Sequence, residues 1–348
     1  MPAPRPLPPL VLRSDALLAL AERGLVERCT DLAGLDARLR AGPVAAYAGF
    51  DPDDPVRLEH LVPLMALRRL ARAGHRPIVL TGGGTARMAS PAGGLQGCDG
   101  TVSAAPPEIA VLAGRVLGSA GGGPLLVDNA DWLDRLGYAA FLRDVGRHVR
   151  IDRLLGLAGI RTRLTRGVPV SLLELNFVVV QAYDFLTLAR DHGCVLQIGL
   201  AGQWETIAAG VAIGRRTGWP ALWGLAAPGL GAAERPDAGT AGPEPGPGAS
   251  LAERLRAACL RLPEAALGRA LRLLSELPLP EVDRLAGLRG REAEEARAVL
   301  ADAVATLCGG PVQPPAHPAG SGHGSTASST SSALAVETSP GEVMASAP

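Results

Sequence analysis

The chain has 348 residues and zero formal net charge, with 34 basic and 34 acidic side chains. That length suits a nucleotide-sized α/β domain with a smaller helical companion, and the balanced charge excludes nucleic-acid affinity driven by net charge alone. Hydrophobic residues make up 47% but aromatics only 3%, so the core is expected to consist of Leu, Val and Ala.

Every basic residue besides histidine is an arginine. A GC-rich coding bias accounts for this, and it matters chemically only where an ammonium is required. Cys29, Cys98, Cys194, Cys259 and Cys308 are widely spaced without a C-x-x-C pair, which fits buried thiols in a reducing cytoplasm and argues against a zinc site. The six histidines offer no metal-ligand spacing, so no metal is expected. The Pro-rich start lacks the order of a signal peptide, and no apolar run approaches the roughly 18 residues of a spanning helix. A soluble, cytoplasmic protein with no membrane partner is the expectation.

In chain order, residues 14–41 read as helical, with Leu17, Leu18, Leu20, Leu25 and Leu35 as apolar positions. A strand follows at 44–48, ended by Gly49-Phe50-Asp51-Pro52, then an amphipathic helix at 58–73 and a strand at 77–80 ended by three glycines. This strand, helix, strand order is a βαβ unit of a parallel sheet. Ligands bind such sheets at the strands' carboxyl ends, here 49–52 and 81–85. A helix at 107–117, a strand at 124–128, a helix at 177–190 and a strand at 194–199 continue the pattern.

The resulting fold class is α/β, a Rossmann-like doubly wound parallel sheet over 14–227, followed by a small helical domain at 251–308. Between them, 228–250 is rich in Gly, Pro and Ala and reads as a mobile loop; 309–348 is mostly Ser, Thr, Gly, Pro and Ala and reads as a disordered tail.

Several phrases together resemble the tyrosyl-tRNA synthetases, a family of class I aminoacyl-tRNA synthetases. They include Tyr47-Ala48-Gly49-Phe50-Asp51-Pro52, Asn129-Ala130-Asp131-Trp132, the run Phe141 to His148, Gln181-Ala182-Tyr183-Asp184-Phe185 and Val195-Leu196-Gln197-Ile198-Gly199, in the family's order. The resemblance covers about residues 14–310, without the family's C-terminal RNA-binding domain. It implies a tyrosine site comprising Tyr47, Gly49, Asp51, Gln181, Asp184, Gln197 and Gln203, with Tyr47 and Asp184 on the substrate's phenol hydroxyl. A hydroxyl and a carboxylate there reject phenylalanine, which leaves them unpaired; the plain alternative is a packed tyrosine and a surface-helix aspartate. On the ammonium side the family's tyrosine is Phe177 and its aspartate Ser90, and losing such a charge-assisted bond costs about 1.5 to 3 kcal/mol.

The ATP side departs further from the family. Its His-Ile-Gly-His phrase corresponds to Arg57-Leu58-Glu59-His60, so Glu59 brings bulk and negative charge where adenine lies close in the family. Arg57 reads as a solvated helix-start arginine, with phosphate contact as the alternative. Leu200-Ala201-Gly202 replaces the family's Gly-Ser-Asp, and the loop that carries a Lys-Met-Ser-Lys-Ser-like phrase, whose cations stabilise pyrophosphate, holds one basic residue, Arg235.

Three readings follow. The first is a catalytically impaired synthetase paralogue that binds tyrosine or a related phenol, or pairs as a homodimer or heterodimer with a synthetase-like chain through 141–148. The second is a working tyrosine–tRNA ligase using ATP with Mg²⁺ and tRNA, in which Arg57, His60, Arg87 and Arg235 replace lost groups. The third is a cyclodipeptide-synthase-like enzyme, which lacks here the nucleophilic serine and strongly basic helix it needs.

Overall fold

The structure is a computed structural model that describes residues 12–88, 107–118, 123–219, 221–231, 246 and 248–309. Most of the expected 228–250 loop with Arg235, the tail after Gly309, and Ser90 lie outside the described residues.

The expected N-terminal helical stretch is two helices with a strand between them. Helix α1 (Asp15–Glu22) is capped by the Ser14 hydroxyl, which accepts from the Leu17 N–H, and it ends at Gly24, whose φ of +69° suits glycine. Strand β1 (Arg28–Cys29) follows, then α2 (Leu32–Arg40), capped by Asp31. The two-residue strand escapes periodicity because it pairs with a strand 195 or more positions away and carries too few residues to alternate.

The alternating unit then runs as expected: β2 (Ala45–Phe50), α3 (Leu58–Arg72) and β3 (Arg76–Thr81). Next come α4 (Gly83–Ala86), α5 (Glu108–Leu117), β4 (Leu125–Asp128), α6 (Ala130–Leu133), α7 (Tyr138–Asp144), α8 (Ile151–Leu155) and α9 (Ala158–Thr165). The long α10 (Leu172–His192) leads through β5 (Cys194–Leu200) and α11 (Trp204–Arg216) to β6 (Trp223–Ala227). Helices α12 (Leu251–Leu260), α13 (Glu264–Leu274), α14 (Leu279–Ala286) and α15 (Ala293–Leu307) complete the described chain.

The six strands lie in the order β1-β6-β5-β2-β3-β4, all parallel except β1, which runs antiparallel to β6. Strand β2 therefore sits between β3 and β5, where the winding reverses, and a doubly wound sheet opens its ligand crevice at that point. Register places Tyr47 beside Gln197 and Ile78.

Alternation along β2 divides the core. Ala46, Ala48 and Phe50 pack with α3 and the C-terminal helices in one buried cluster, while Ala45 and Tyr47 face α10 in another. The C-terminal helices join the first cluster through Leu255, Leu271 and Leu300. Arg23 reinforces the junction by donating to the carbonyls of Ser275 and Leu277 at 3.3 and 2.5 Å, and Arg68 and Arg72 both donate to the Glu276 carboxylate.

One expectation fails at α10. Its 21 residues are long and apolar enough, by length and composition, to cross a bilayer. Yet the helix carries Asp184 within its span, packs against α11 and β5, and is starred by a capping box in which Ser171 and Glu174 bond one another's backbone N–H. Its buried apolar side chains, from Val178 to Leu188, form the cluster on one face of the sheet together with Tyr47 and Ile78.

Candidate functional site

Tyr47 is buried, 2% exposed, on the β2 face that meets α10. Its ring lies tilted against Phe185, with centroids 5.3 Å apart. Burial chiefly, then the neighbouring Asp184 charge, holds the Tyr47 phenol well above its ordinary pKa, so it is a neutral hydroxyl.

Asp184 is buried beside it, 3% exposed. The Asn129 side-chain amide donates to Oδ2 at 3.0 Å and the Trp132 indole N–H to Oδ1 at 2.7 Å. Burial raises its pKa to about 7, those two donors pull against the rise, and the Asp128 charge adds to it. Each carboxylate oxygen carries two lone pairs, so acceptor capacity remains for a phenol hydroxyl.

Asn129 organises the loop above the sheet. Its Oδ1 accepts from the Gly84 N–H at 2.8 Å and the Thr85 N–H at 3.3 Å, and its Nδ2 also donates to Thr85 Oγ1 at 3.2 Å. The backbone of α4, following the glycines after β3, is thus tied to the carboxylate on α10. A Cβ at position 84 would lie 3.0 Å from Asn129 Oδ1 and Leu133 Cδ1, so any larger residue there makes these neighbours give way. Asp128 belongs to the same corner, accepting from Thr81 Oγ1 at 3.0 Å and the Ala130 N–H at 2.8 Å.

The remaining residues expected in the tyrosine site divide into two groups. Gln197 neighbours Tyr47 in register, and its Oε1 would be 3.6 Å from a Cβ on Gly210, so it reaches toward α11 on the same sheet face. Gln181 is half-buried one turn before Asp184, and Gly49 is exposed although β2 is an interior strand, so the sheet face is open at its carboxyl end. The other two are engaged locally and exposed: Gln203 Oε1 accepts from the Leu200 N–H at 2.9 Å, and Asp51 Oδ1 accepts from the Asp53 N–H at 2.9 Å.

At the start of α3, Arg57 occupies the N-cap; its side chain has no oxygen to offer, while its backbone carbonyl accepts from the His60 N–H at 3.1 Å. His60 Nδ1 in turn accepts the Arg57 backbone N–H at 3.0 Å. Asp54 Oδ2 takes the Arg57 guanidinium at 2.8 Å and lies 3.4 Å from His60 Nε2. Burial lowers the His60 pKa, partly countered by Asp54, and its ring meets Phe50 edge-on at 6.2 Å. Glu59 is half-buried in the same first turn.

Asn129 and Trp132 belong to a phrase that carries the resemblance, with no site role implied there for either. The available signal was spacing: an asparagine directly after the β4 aspartate stands at the carboxyl end of a parallel strand, where site residues gather.

Comparisons with known proteins give the family and the fold. Residues 39–220 match the family of class I tRNA synthetases for tryptophan and tyrosine (W and Y). The chain is 40% identical over 318 residues to the tyrosine–tRNA ligase of Rhodospirillum rubrum, covering 86% of this chain and 74% of that one. Over 313 residues it is 40% identical to tyrosine–tRNA ligase 1 of Pseudomonas aeruginosa, with the same coverage. Among solved structures, a C-terminally truncated mitochondrial tyrosyl-tRNA synthetase from Aspergillus nidulans is similar with a TM-score of 0.68 and 24% identity, over 86% of this chain and 91% of that one. The Archaeoglobus fulgidus tyrosyl-tRNA synthetase complexed with L-tyrosine follows at 0.60 and 14%, over 85% and 98%. At these identities the structural likenesses speak for the fold.

Proposed function

Because the chain belongs to the tyrosyl-tRNA synthetase family of class I, we propose that it is a paralogue that still binds tyrosine or a related phenol and is impaired in using ATP. The phenol half of this reading rests on the buried Tyr47 and Asp184 pair, a neutral hydroxyl beside a carboxylate whose own donors leave lone pairs free. A phenol is a donor that such a pair accepts, and phenylalanine would strand both groups.

The observation that carries the ATP half is the start of α3. Asp54 draws Arg57 and His60 to itself, and Glu59 adds a further carboxylate in the helix's first turn. A helix N-terminus is otherwise a favourable anion locus; here the Arg57 guanidinium and the His60 ring, the cationic groups beside it, are turned to Asp54 and not to an approaching triphosphate.

Pairing with a second synthetase-like chain, homodimer or heterodimer, is part of the proposal. Exposed apolar side chains are frequent along the sequence between residues 138 and 172, including Tyr138 at 60%, Ile151 at 67% and Leu172 at 66% exposure, and apolar surface of this kind favours a protein partner where it is contiguous.

A second reading, a working tyrosine–tRNA ligase with ATP and tRNA as substrates, is favoured by the 40% identity to proteins bearing that name. Calorimetric titration of the full chain with tyrosine and with ATP, beside a tyrosine-dependent pyrophosphate–ATP exchange assay, separates the two. Tyrosine binding with neither ATP binding nor exchange supports the impaired paralogue; robust exchange overturns it in favour of the ligase.

A further inference from the structure

Four arginines from the N-terminal part of the chain converge on the loop between α13 and α14. Arg23, the C-cap of α1, donates to the Ser275 and Leu277 carbonyls. From the last turns of α3, Arg69 donates to the Ser275 carbonyl at 3.2 Å, while Arg68 and Arg72 take the Glu276 carboxylate, one on each oxygen. Arg69 Nη2 lies 3.9 Å from Glu276 Oε1, and Arg68 also donates to the Val116 carbonyl near the end of α5. Glu276 is thus the carboxylate on which α3 meets the C-terminal helices.

Charge in this clasp does not balance. Four guanidiniums gather there around one carboxylate; Glu22 attracts Arg23 less than Glu276 does, and Arg272, which repels Arg23, is itself engaged by Asp283. Burial holds the Arg23 and Arg69 guanidiniums below the ordinary arginine pKa. At Arg69 the charges of Arg23, Arg72 and Arg68 push the same way, against the pull of Glu276. Solvent relieves little of this repulsion, since the side chains of Arg68 and Arg69 are only 18% and 10% exposed. Arg69 Nε is also buried without a hydrogen-bond partner, and an unpaired buried donor costs free energy.

The clasp is therefore closed against mutual repulsion and an unpaired donor, with a single side chain supplying the opposing charge. Removing one partner of a partly buried ion pair leaves the others uncompensated. We propose that this clasp is a charge-operated latch: the Glu276 carboxylate holds the loop between α13 and α14 on α3, and loss of that charge lets the guanidiniums drive the loop off, opening α13 and α14 locally while the sheet stays folded. The latch lies at the end of α3 remote from Arg57 and His60 and does not depend on what the Tyr47 pocket binds.

Hydrogen exchange on the full chain tests this, because it reads local opening element by element. In Glu276→Gln the amides of 264–286 should exchange at least tenfold faster than in the parent, with those of β2 and β5 unchanged. The decisive result is a reversal of sign. Arg72→Gln alone removes a bond to Glu276 and should speed exchange of 264–286, whereas added to Glu276→Gln it removes repulsion and should slow it severalfold, a coupling that a double-mutant cycle isolates. Sulfate, which reaches the half-exposed Arg72 and can stand in for the lost carboxylate, should slow exchange in Glu276→Gln more than in the parent at matched ionic strength. Should Glu276→Gln fail to fold, recovery of a folded chain on adding Arg72→Gln carries the same reversal. Unchanged exchange in Glu276→Gln, faster exchange spread evenly over sheet and helices, or a double variant no slower and no better folded than Glu276→Gln would each overturn the latch.

Discussion

The Trp132 indole N–H donates to Asp184 Oδ1 at 2.7 Å, on the oxygen opposite the one that accepts from Asn129. The carboxylate is therefore gripped from both sides before any ligand arrives, and its orientation toward Tyr47 does not have to be organised by binding.

Asp184 makes stability depend on pH in an unusual direction for a carboxylate. Its folded pKa is about 7 against an ordinary 3.8, so between those values the folded protein holds a proton that the unfolded chain has released. Stability from this group is full below the unfolded value and is lost as pH rises through 7. The unfolding free energy of the parent relative to Asp184→Asn should fall from pH 4 to pH 7, by up to about 4 kcal/mol, and level off above. Denaturant melts across that range check it; a flat or rising difference would contradict the assignment.

Gly84→Ala should loosen the Asn129 network without touching Asp184. The new Cβ would sit 3.0 Å from Asn129 Oδ1, and overpacking of this kind costs about 1 to 3 kcal/mol. Chemical denaturation should give a lower midpoint with an unchanged slope, and tyrosine affinity should fall with it.

Discrimination between tyrosine and phenylalanine tests the phenol site directly. Asp184→Asn should weaken tyrosine by roughly tenfold to a hundredfold, about 1.5 to 3 kcal/mol for a bond to a charged group, and Tyr47→Phe by roughly twofold to tenfold, about 0.5 to 1.5 kcal/mol for a bond to a neutral hydroxyl. Phenylalanine affinity should change little, and calorimetry of the four combinations reads the difference.

His60 should titrate below the ordinary histidine value, because burial outweighs the attraction of Asp54. Asp54→Asn removes that attraction, so the His60 midpoint should move lower still, followed by proton or nitrogen chemical shifts of the ring. An upward move would mean that the Asp54 contact at 3.4 Å is not felt by the imidazole.

The parallel βαβ architecture was readable because α3 and the strands around it carry clean periods: Leu58 to Arg72 repeats apolar positions at helical spacing, and β2, β3 and β5 are short apolar runs ended by glycine. The break at 23–31 was not, since β1 exists only through pairing with β6, a contact that no local pattern announces. Tyr47 and Asp184 were placed by resemblance, and the structure puts them on facing elements. Gln203 was placed in the same way, yet its amide closes its own turn with Leu200, a competition between local and ligand hydrogen bonds that residue identity does not reveal. Asn129 does its work through backbone amides of Gly84 and Thr85, partners invisible to any reading of side-chain types.

The mixed cluster that buries Ala46 and Ala48 of β2 together with Leu255, Leu271 and Leu300 of the C-terminal helices has a consequence for how the chain tolerates scission. A nick introduced between residues 231 and 246 divides that cluster between two fragments, each carrying part of a common interior. The two pieces should remain together through chromatography and separate only under denaturant, and neither expressed alone should fold. Complementation from separately produced halves is then a practical route to labelling one side of the molecule.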